Sequence, residues 1–425
     1  MEQTHHTQDW IEYIVDNVRQ YYKGRKIVLW GKYIESDNIR NKLKEKYDID
    51  AAFYVDSNPE KIDNREIFST ECLNGKSTEY YIVIPLVVYQ SIRDVLFKGG
   101  YKADVDYFYF SDCVLREEED YYEDAHGNKI IGNVCMGGGK ICFSGFNSVV
   151  EIGNNVRLQK SNFYIHNNAR IIIGNNTEFI NANLYMENRA NIVLGDSICV
   201  INSSIHLLDN AECEIGCKCR LKHFGMKFGE YTKVLIGKEV ELRGTNEHKG
   251  SWTMLHKSRL EIGDRGLFKY GNLYLEENSI LRVGKDFTIE INYRVNSDRD
   301  TAILIGDDCM FSFDIILKSN DGHSIFDIRT AKNLNTSYAT REYRKIDIGN
   351  HVWIGMRAII LYDTQIKDGS IIGAMSIVKS EIPNNSIAAG VPARIVRRDI
   401  AWSREIATEN ILTCGEEYVR MTEEI

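Results

Sequence analysis

The segment Asn320-Asp321-Gly322-His323-Ser324-Ile325-Phe326-Asp327 sets one histidine among short acidic and hydroxyl side chains. Histidine ordinarily titrates closest to neutrality, so it is suited to take a proton from a hydroxyl and return it within one reaction cycle. A carboxylate such as Asp321 or Asp327 would orient the ring and stabilise its charged form. The same run is also plain turn chemistry, because Asn, Asp and Gly close tight turns unaided. Further on, Arg394, Arg397 and Arg398 offer forked N–H donors that match phosphate, with a solvated basic run as the bland alternative. Cys213, Cys217 and Cys219 are the tightest cysteine group, yet they lack the partners that zinc requires, and no metal is expected. His166, His206, His223, His248 and His256 share no column of any repeat.

The elements that must position these groups are repetitive. An aliphatic residue followed by glycine recurs at Ile131-Gly132, Ile152-Gly153, Ile173-Gly174, Leu194-Gly195, Ile215-Gly216 and Ile236-Gly237, always 21 residues apart. It continues at Ile262, Val283, Ile305 and Ile348, in steps of 26, 21, 22 and 43. Phe163, Leu184, Ile205 and Met226 repeat in phase, as do Ala169, Ala190, Ala211 and Thr232. Within each unit, apolar and polar residues alternate in three short bursts, which predicts three strands per turn, each with one face inward. Stacked turns then pair each strand with its copy one coil away, and the fold is expected to be mainly β, a long parallel β-helix. Asn and Gly at the corners tolerate the backbone a sharp turn needs. The double step before Ile348 marks an insertion, and it contains His323.

From Ile348 the period shortens to six: Ile348, Ile354, Ile360, Ile366, Ile372 and Val378. Small or β-branched residues follow each by four, at Val352, Ala358, Thr364, Ser370, Ser376 and Ile382. With the stretches Ile346-Asp347-Ile348-Gly349-Asn350-His351-Val352-Trp353-Ile354-Gly355, Ile371 to Val378 and Ala388-Ala389-Gly390-Val391-Pro392-Ala393-Arg394, the chain resembles the hexapeptide-repeat acyltransferases. Within them the nearest likeness is to the maltose, galactoside and capsular or lipopolysaccharide O-acetyltransferases. The motifs cover about the last quarter of the chain.

The resemblance implies a left-handed hand for the C-terminal coils, acetyl-CoA as co-substrate, a carbohydrate hydroxyl as acceptor and a homotrimer whose clefts hold the coenzyme. It implies His323 as general base, with His351 a competitor. It also implies Ala374 and Ser376 along the pantetheine arm, Arg394 and Arg397 at phosphate, and Trp353 and Lys379 near the coenzyme. Met375 stands where the family often has Gly, and Lys379-Ser380 reverses the family's Thr-Lys order. Two other readings remain: a non-catalytic carbohydrate-binding or assembly solenoid, and an N-acyltransferase acting on a nucleotide-linked amino sugar.

Before the repeats, Lys26 to Gly31, Ala51 to Asp56, Tyr80 to Pro85 and Tyr107 to Phe110 read as strands alternating with helices, a small Rossmann-like α/β domain. Gly31-Lys32-Tyr33-Ile34 lacks a glycine-rich dinucleotide turn. The resulting division is an N-terminal helix plus α/β domain over 1–125 and long coils over 126–346, with the catalytic loop near 318–346. Hexapeptide coils with the coenzyme site follow over 347–394, and a helical tail over 395–425. A net charge of −9 disfavours nucleic acid or an anionic membrane as main partner. Without an apolar span, a secretory start or a disulfide framework, the chain is expected to be cytoplasmic.

Overall fold

The N-terminal segment folds because its buried strands are near-continuous apolar runs that need a helix on each face. The computed structural model describes residues 11, 14–62, 65–88, 90–102, 105–114, 120–124, 126–334, 344–406 and 416–424. Strands Lys26–Trp30, Ala51–Asp56, Ile67–Ser69, Tyr80–Val88 and Tyr107–Val114 are parallel, with Lys26–Trp30 central between Ala51–Asp56 and Tyr80–Val88. Helical residues 14–21 and helix Ile34–Tyr47 bury Ile14, Val15, Val18, Ile39 and Leu43 against Ile27 and Leu29. Helix Gln90–Lys98 covers the other face, where Leu96 joins Val28, Val55 and Ile82. Strand Ile67–Ser69 has no counterpart in the sequence reading; three residues are too few to show a period.

This sheet does not stop at the first coil. Tyr107–Val114 pairs antiparallel with Lys140–Phe143, so the five N-terminal strands and one wall of the solenoid form a single 16-stranded sheet, here sheet A. Two 13-stranded sheets, B and C, complete the triangular section. The chain runs from B through C to A and back to B. Every coil pairs in parallel with the next, and the first copies are one 21-residue step apart, as in Phe163↔Leu184↔Ile205↔Met226.

The inward residues form one continuous core from Ile130 to Ala393, including all six residues of the hexapeptide series. Corners are where such a coil is most constrained, because inward backbone groups there need partners. Buried hydroxyls at the corners supply them. Ala169, Ala182 and Phe224 donate their N–H to Ser148, Ser161 and Ser203 Oγ at 3.0–3.1 Å. At the B–C corner Cys219 does the same with sulfur: its thiol donates to Gly237 O at 3.1 Å and accepts from Val240 N. This cysteine is therefore a corner residue, and Cys213 is core. The outer corners are tied by an amide–carboxylate ladder in which Asn154 N donates to Asn175 Oδ1 and Asn175 N to Asp196 Oδ1.

Glycine at the corner follows from the closeness of the next coil. A Cβ on Gly174 would lie 2.5 Å from the carbonyl carbon of Gly195 and 2.6 Å from Asp196 N, both backbone atoms of a stacked coil. Gly174→Ala is expected to lower stability by about 1–3 kcal/mol, seen as an earlier urea midpoint at unchanged slope. Wild-type stability would mean that neighbouring coils separate freely. The 26-residue step is explained by residues 245–249, which bulge outward and are exposed while the strands on either side keep register.

Among the described residues no helix is long and apolar enough to cross a membrane. Of the expected C-terminal helix, the described residues 398–406 and 416–424 run over the solenoid without α-helix, with one 3-10 turn at Glu416–Tyr418, while its middle, 407–415, lies outside the described residues. The expected N-terminal helix from residue 2 is described only from residue 11 onward.

Candidate active site

The loop that carries His323 leaves sheet A at the end of strand Ile316–Lys318, at the A–B corner. Its root is fixed by a buried polar cluster that the sequence reading missed. Ser319 is fully buried; its Oγ lies 2.6 Å from Thr301 Oγ1 and accepts from Asp298 N at 2.8 Å. Lys318 Nζ binds Asp298 Oδ1 at 2.5 Å. The signal was present, since Ser297, Asp298 and Ser319 break the apolar alternation. Beyond the root, Asn320 is buried and its Oδ1 accepts from Asp321 N at 2.8 Å, so the turn presents His323 to solvent.

Asp327 does not serve the imidazole. Its Oδ1 accepts from Arg329 N, Thr330 N and Thr330 Oγ1 at 2.8–2.9 Å, and these bonds hold its carboxyl below the ordinary carboxylate range. It closes a small hairpin in which Leu334 N donates to Ile325 O and Asp327 N to Lys332 O. Asp321 stays in the same turn as His323, two residues before it. Ile325, Phe326, Ile328 and Leu334 are exposed on this hairpin, Ile328 at 99%. Residues 335–343, the rest of the expected loop, lie outside the described residues.

His351 is not a competing base. Only 2% exposed, it has Nδ1 2.6 Å from Asp308 Oδ2 and Nε2 3.0 Å from Trp402 O, so both ring nitrogens are engaged. Trp402 stacks on its ring at 4.0 Å, Tyr418 lies parallel at 5.1 Å, and Trp402 Nε1 donates to His351 O. The hexapeptide phase points His351 outward, but the returning tail covers it. Arg404 completes the clasp, donating to Asp308 Oδ1 at 2.6 Å and to the carbonyls of Asp286 and Cys309.

Burial alone would raise the Asp308 pKa, but hydrogen bonds from His351 and Arg404 outweigh it and hold the value below the ordinary 3.8. A carboxyl depressed on folding adds stability above its unfolded pKa and loses that stability as the pH falls through the folded one. The clasp is therefore expected to hold above about pH 5 and to loosen as pH drops below 3.8, which Trp402 fluorescence would follow. In Asp308→Asn that acid-induced change should disappear.

The remaining expected site residues fall in two places. Lys379 lies at the A–B corner, two coils past the His323 loop; its Nζ donates to Tyr362 OH at 2.5 Å and sits 3.9 Å above that ring. Tyr362, in the coil between, is a site residue the sequence reading did not name. Trp353 and Arg397 instead belong to sheet C, in one outward register column through Ile371 and Ile387. Trp353 is 37% exposed and Arg394 and Arg397 are exposed on strand Ala393–Arg397. Ala374 is exposed at the C–A corner. Ser376 is fully buried and its Oγ accepts from Gly390 N at 3.1 Å, so its hydroxyl works inside the coil. A single chain thus brings His323, Tyr362 and Lys379 to one corner and Trp353, Arg394 and Arg397 to another face. Among the described residues no group of three or more His, Cys, Asp or Glu side chains is arranged to hold a metal ion.

Comparison with known proteins concerns the C-terminal coils. Residues 345–380 match the model described as bacterial transferase hexapeptide (six repeats). The chain is 30% identical over 156 residues to a polysialic acid O-acetyltransferase of Escherichia coli O1:K1 / APEC, covering 36% of this chain and 48% of that protein. It is 34% identical over 125 residues to galactoside O-acetyltransferase of Escherichia coli K12, covering 29% and 57%. The chain therefore spans about half the length of the curated relatives it matches. A solved galactoside acetyltransferase in complex with coenzyme A is 30% identical over 28% of this chain and 54% of that one, with a TM-score of 0.22. This chain is a long parallel β-solenoid in which residues 345–380, among the last regular coils, match the bacterial transferase hexapeptide repeat.

Proposed function

We propose that the chain is an O-acetyltransferase that moves an acetyl group from acetyl-CoA to a carbohydrate hydroxyl. The observation that carries this is adjacency: the strand feeding the His323 loop, Ile316–Lys318, pairs directly with Ile359–Leu361 inside the hexapeptide segment. His323 takes the proton as the acceptor oxygen attacks the thioester carbonyl. The carbon–sulfur bond then breaks, and the imidazolium returns that proton to the departing sulfur, so the histidine ends as it began. Asp321 is the candidate to orient the ring.

The exposed guanidinium groups of Arg394 and Arg397 and the exposed Trp353 ring fit an anionic, partly aromatic coenzyme, with the exposed Ala374 corner next along the same coils. These groups and His323 lie on different faces of one chain. A groove lined by two copies, as in a homotrimer, would join them, and the exposed apolar hairpin beside His323 would be covered in the same assembly. The test is CoA release from acetyl-CoA with an acceptor panel of monosaccharides, dextran, hyaluronan, polygalacturonate and polysialic acid. Release that depends on one of these acceptors supports the reading; absence of both release and CoA binding would overturn it.

A further inference from the structure

The outer face of sheet A differs from the other two walls. Its eight strands from Asn162–Ile165 to Ile316–Lys318 stack in unbroken register, with two outward positions on each. None of those positions holds a carboxylate, in a chain of net charge −9. Over the same coils, sheet B turns out Glu212, Glu214 and Glu261, and sheet C turns out Glu178, Glu241 and Glu290. Those carboxylates are interleaved with cations, Arg170, Lys233, Arg259 and Arg282 on sheet B and Arg220, Lys222, Arg243 and Lys269 on sheet C. Sheet A carries Lys227, Arg294 and Lys318 with no carboxylate among them, and the first two are exposed.

One register column of this face reads Tyr164, Tyr185, His206, Lys227, then Thr253 and Tyr274, and ends after Asn296 at Lys318. Tyr164 and Tyr185 are stacked flat, with centroids 5.0 Å apart, and His206 continues the row at 5.5 Å. Beside them Asn162 Nδ2 donates to Asn183 Oδ1, while Gly225 leaves the middle of the face open. Three carboxylates border the face from the first turn position after its strands: Glu187 lies by His166 and His206, Asp298 binds Lys318, and Glu276 accepts from Arg299 N at 3.0 Å. Seven coil steps of about 4.8 Å make the track roughly 34 Å long. It delivers to the loop of His323, because Lys318 is the last strand residue before that loop.

We infer that this face holds the acceptor, and that the acceptor is an extended anionic polysaccharide lying along the solenoid axis with its reacting residue at His323. Aromatic faces suit the apolar faces of sugar rings, amides and hydroxyls suit their hydroxyl groups, and a strip whose outward strand positions carry cations and no carboxylate suits a repeated acidic group. This deepens the acetyl-transfer reading and rests on it for the role of His323.

The test is equilibrium binding of the full chain, without acetyl-CoA, to the three carboxylated polymers of the panel and to dextran of matched length. At least one carboxylated polymer should bind, weakening about tenfold from roughly 50 mM to roughly 300 mM salt, while dextran should not. K227S/R294S and Y164A/Y185A, both surface changes, should each weaken binding about tenfold with unchanged melting temperature. Failure of every carboxylated polymer to bind, equal binding of dextran, unchanged affinity in both double variants, or tighter binding of single-stranded DNA would overturn the inference. Polymer binding without any CoA release would sink the transfer reading alone; release from monosaccharides with no polymer bound would sink only this one.

Discussion

His323→Ala should lower acceptor-dependent CoA release between about 100-fold and 10,000-fold, the range general-base removal usually costs. The loss should fall on kcat, because the imidazole acts while the acceptor oxygen attacks and is not needed to hold either substrate. Stability should stay within about 0.5 kcal/mol of wild type, since the ring is exposed and the loop is rooted elsewhere, at Ser319 and Asp298. That combination matters, because a damaged fold would lower rate and melting temperature together. A variant with wild-type rate would remove His323 from the mechanism. His351 would not inherit the role, because Asp308 and the Trp402 carbonyl already engage both of its nitrogens.

The second large effect is structural. Trp402→Ala should lower the stability of the C-terminal coils by about 3–5 kcal/mol, the range for removing a buried large aromatic ring. Trp402 is buried, stacks on His351 at 4.0 Å and donates Nε1–H to His351 O at 3.0 Å, so its loss uncovers a buried histidine and orphans a carbonyl. Trp402→Phe keeps a stacking ring and gives up only the N–H bond, so it should cost about 1 kcal/mol. Coils interact only with neighbours, so the damage should be local. Hydrogen exchange should rise around residues 346–390 and stay unchanged around 150–240. Uniform exchange along the whole solenoid would mean that the tail stabilises the chain globally and that the clasp is not a local cap.

Much of the solenoid was legible in the residues. Ile152, Ile173, Leu194 and Ile215 are inward strand ends one coil apart, and Ile348 to Val378 repeat the arrangement at tighter pitch. A repeat announces itself because each coil solves the same packing problem with the same residue types. The His323 loop was legible for the opposite reason, as the place where the repeat is interrupted. The resemblance that named its histidine rested on the neighbouring coils together with the loop's own Asp- and Ser-rich pattern.

What only the tertiary structure decided are contacts made once, between residues far apart in the chain. Nothing in Trp402 or Tyr418 indicates that they close over His351, or that Arg404 reaches Asp308, because a single long-range pair leaves no periodic trace. The same holds for the antiparallel joint of Tyr107–Val114 with Lys140–Phe143, which merges two expected domains into one sheet. Ser376 shows the limit of carrying a role over by position. The sequence placed it in a coenzyme groove, but the coil needed its hydroxyl inside, at Gly390 N. The sequence by itself determined the coil, its register and where the register breaks, because those follow from local alternation of apolar and polar residues. The tertiary structure alone decided which side chains remain free for chemistry, because that depends on which backbone groups the packed coils leave without a partner.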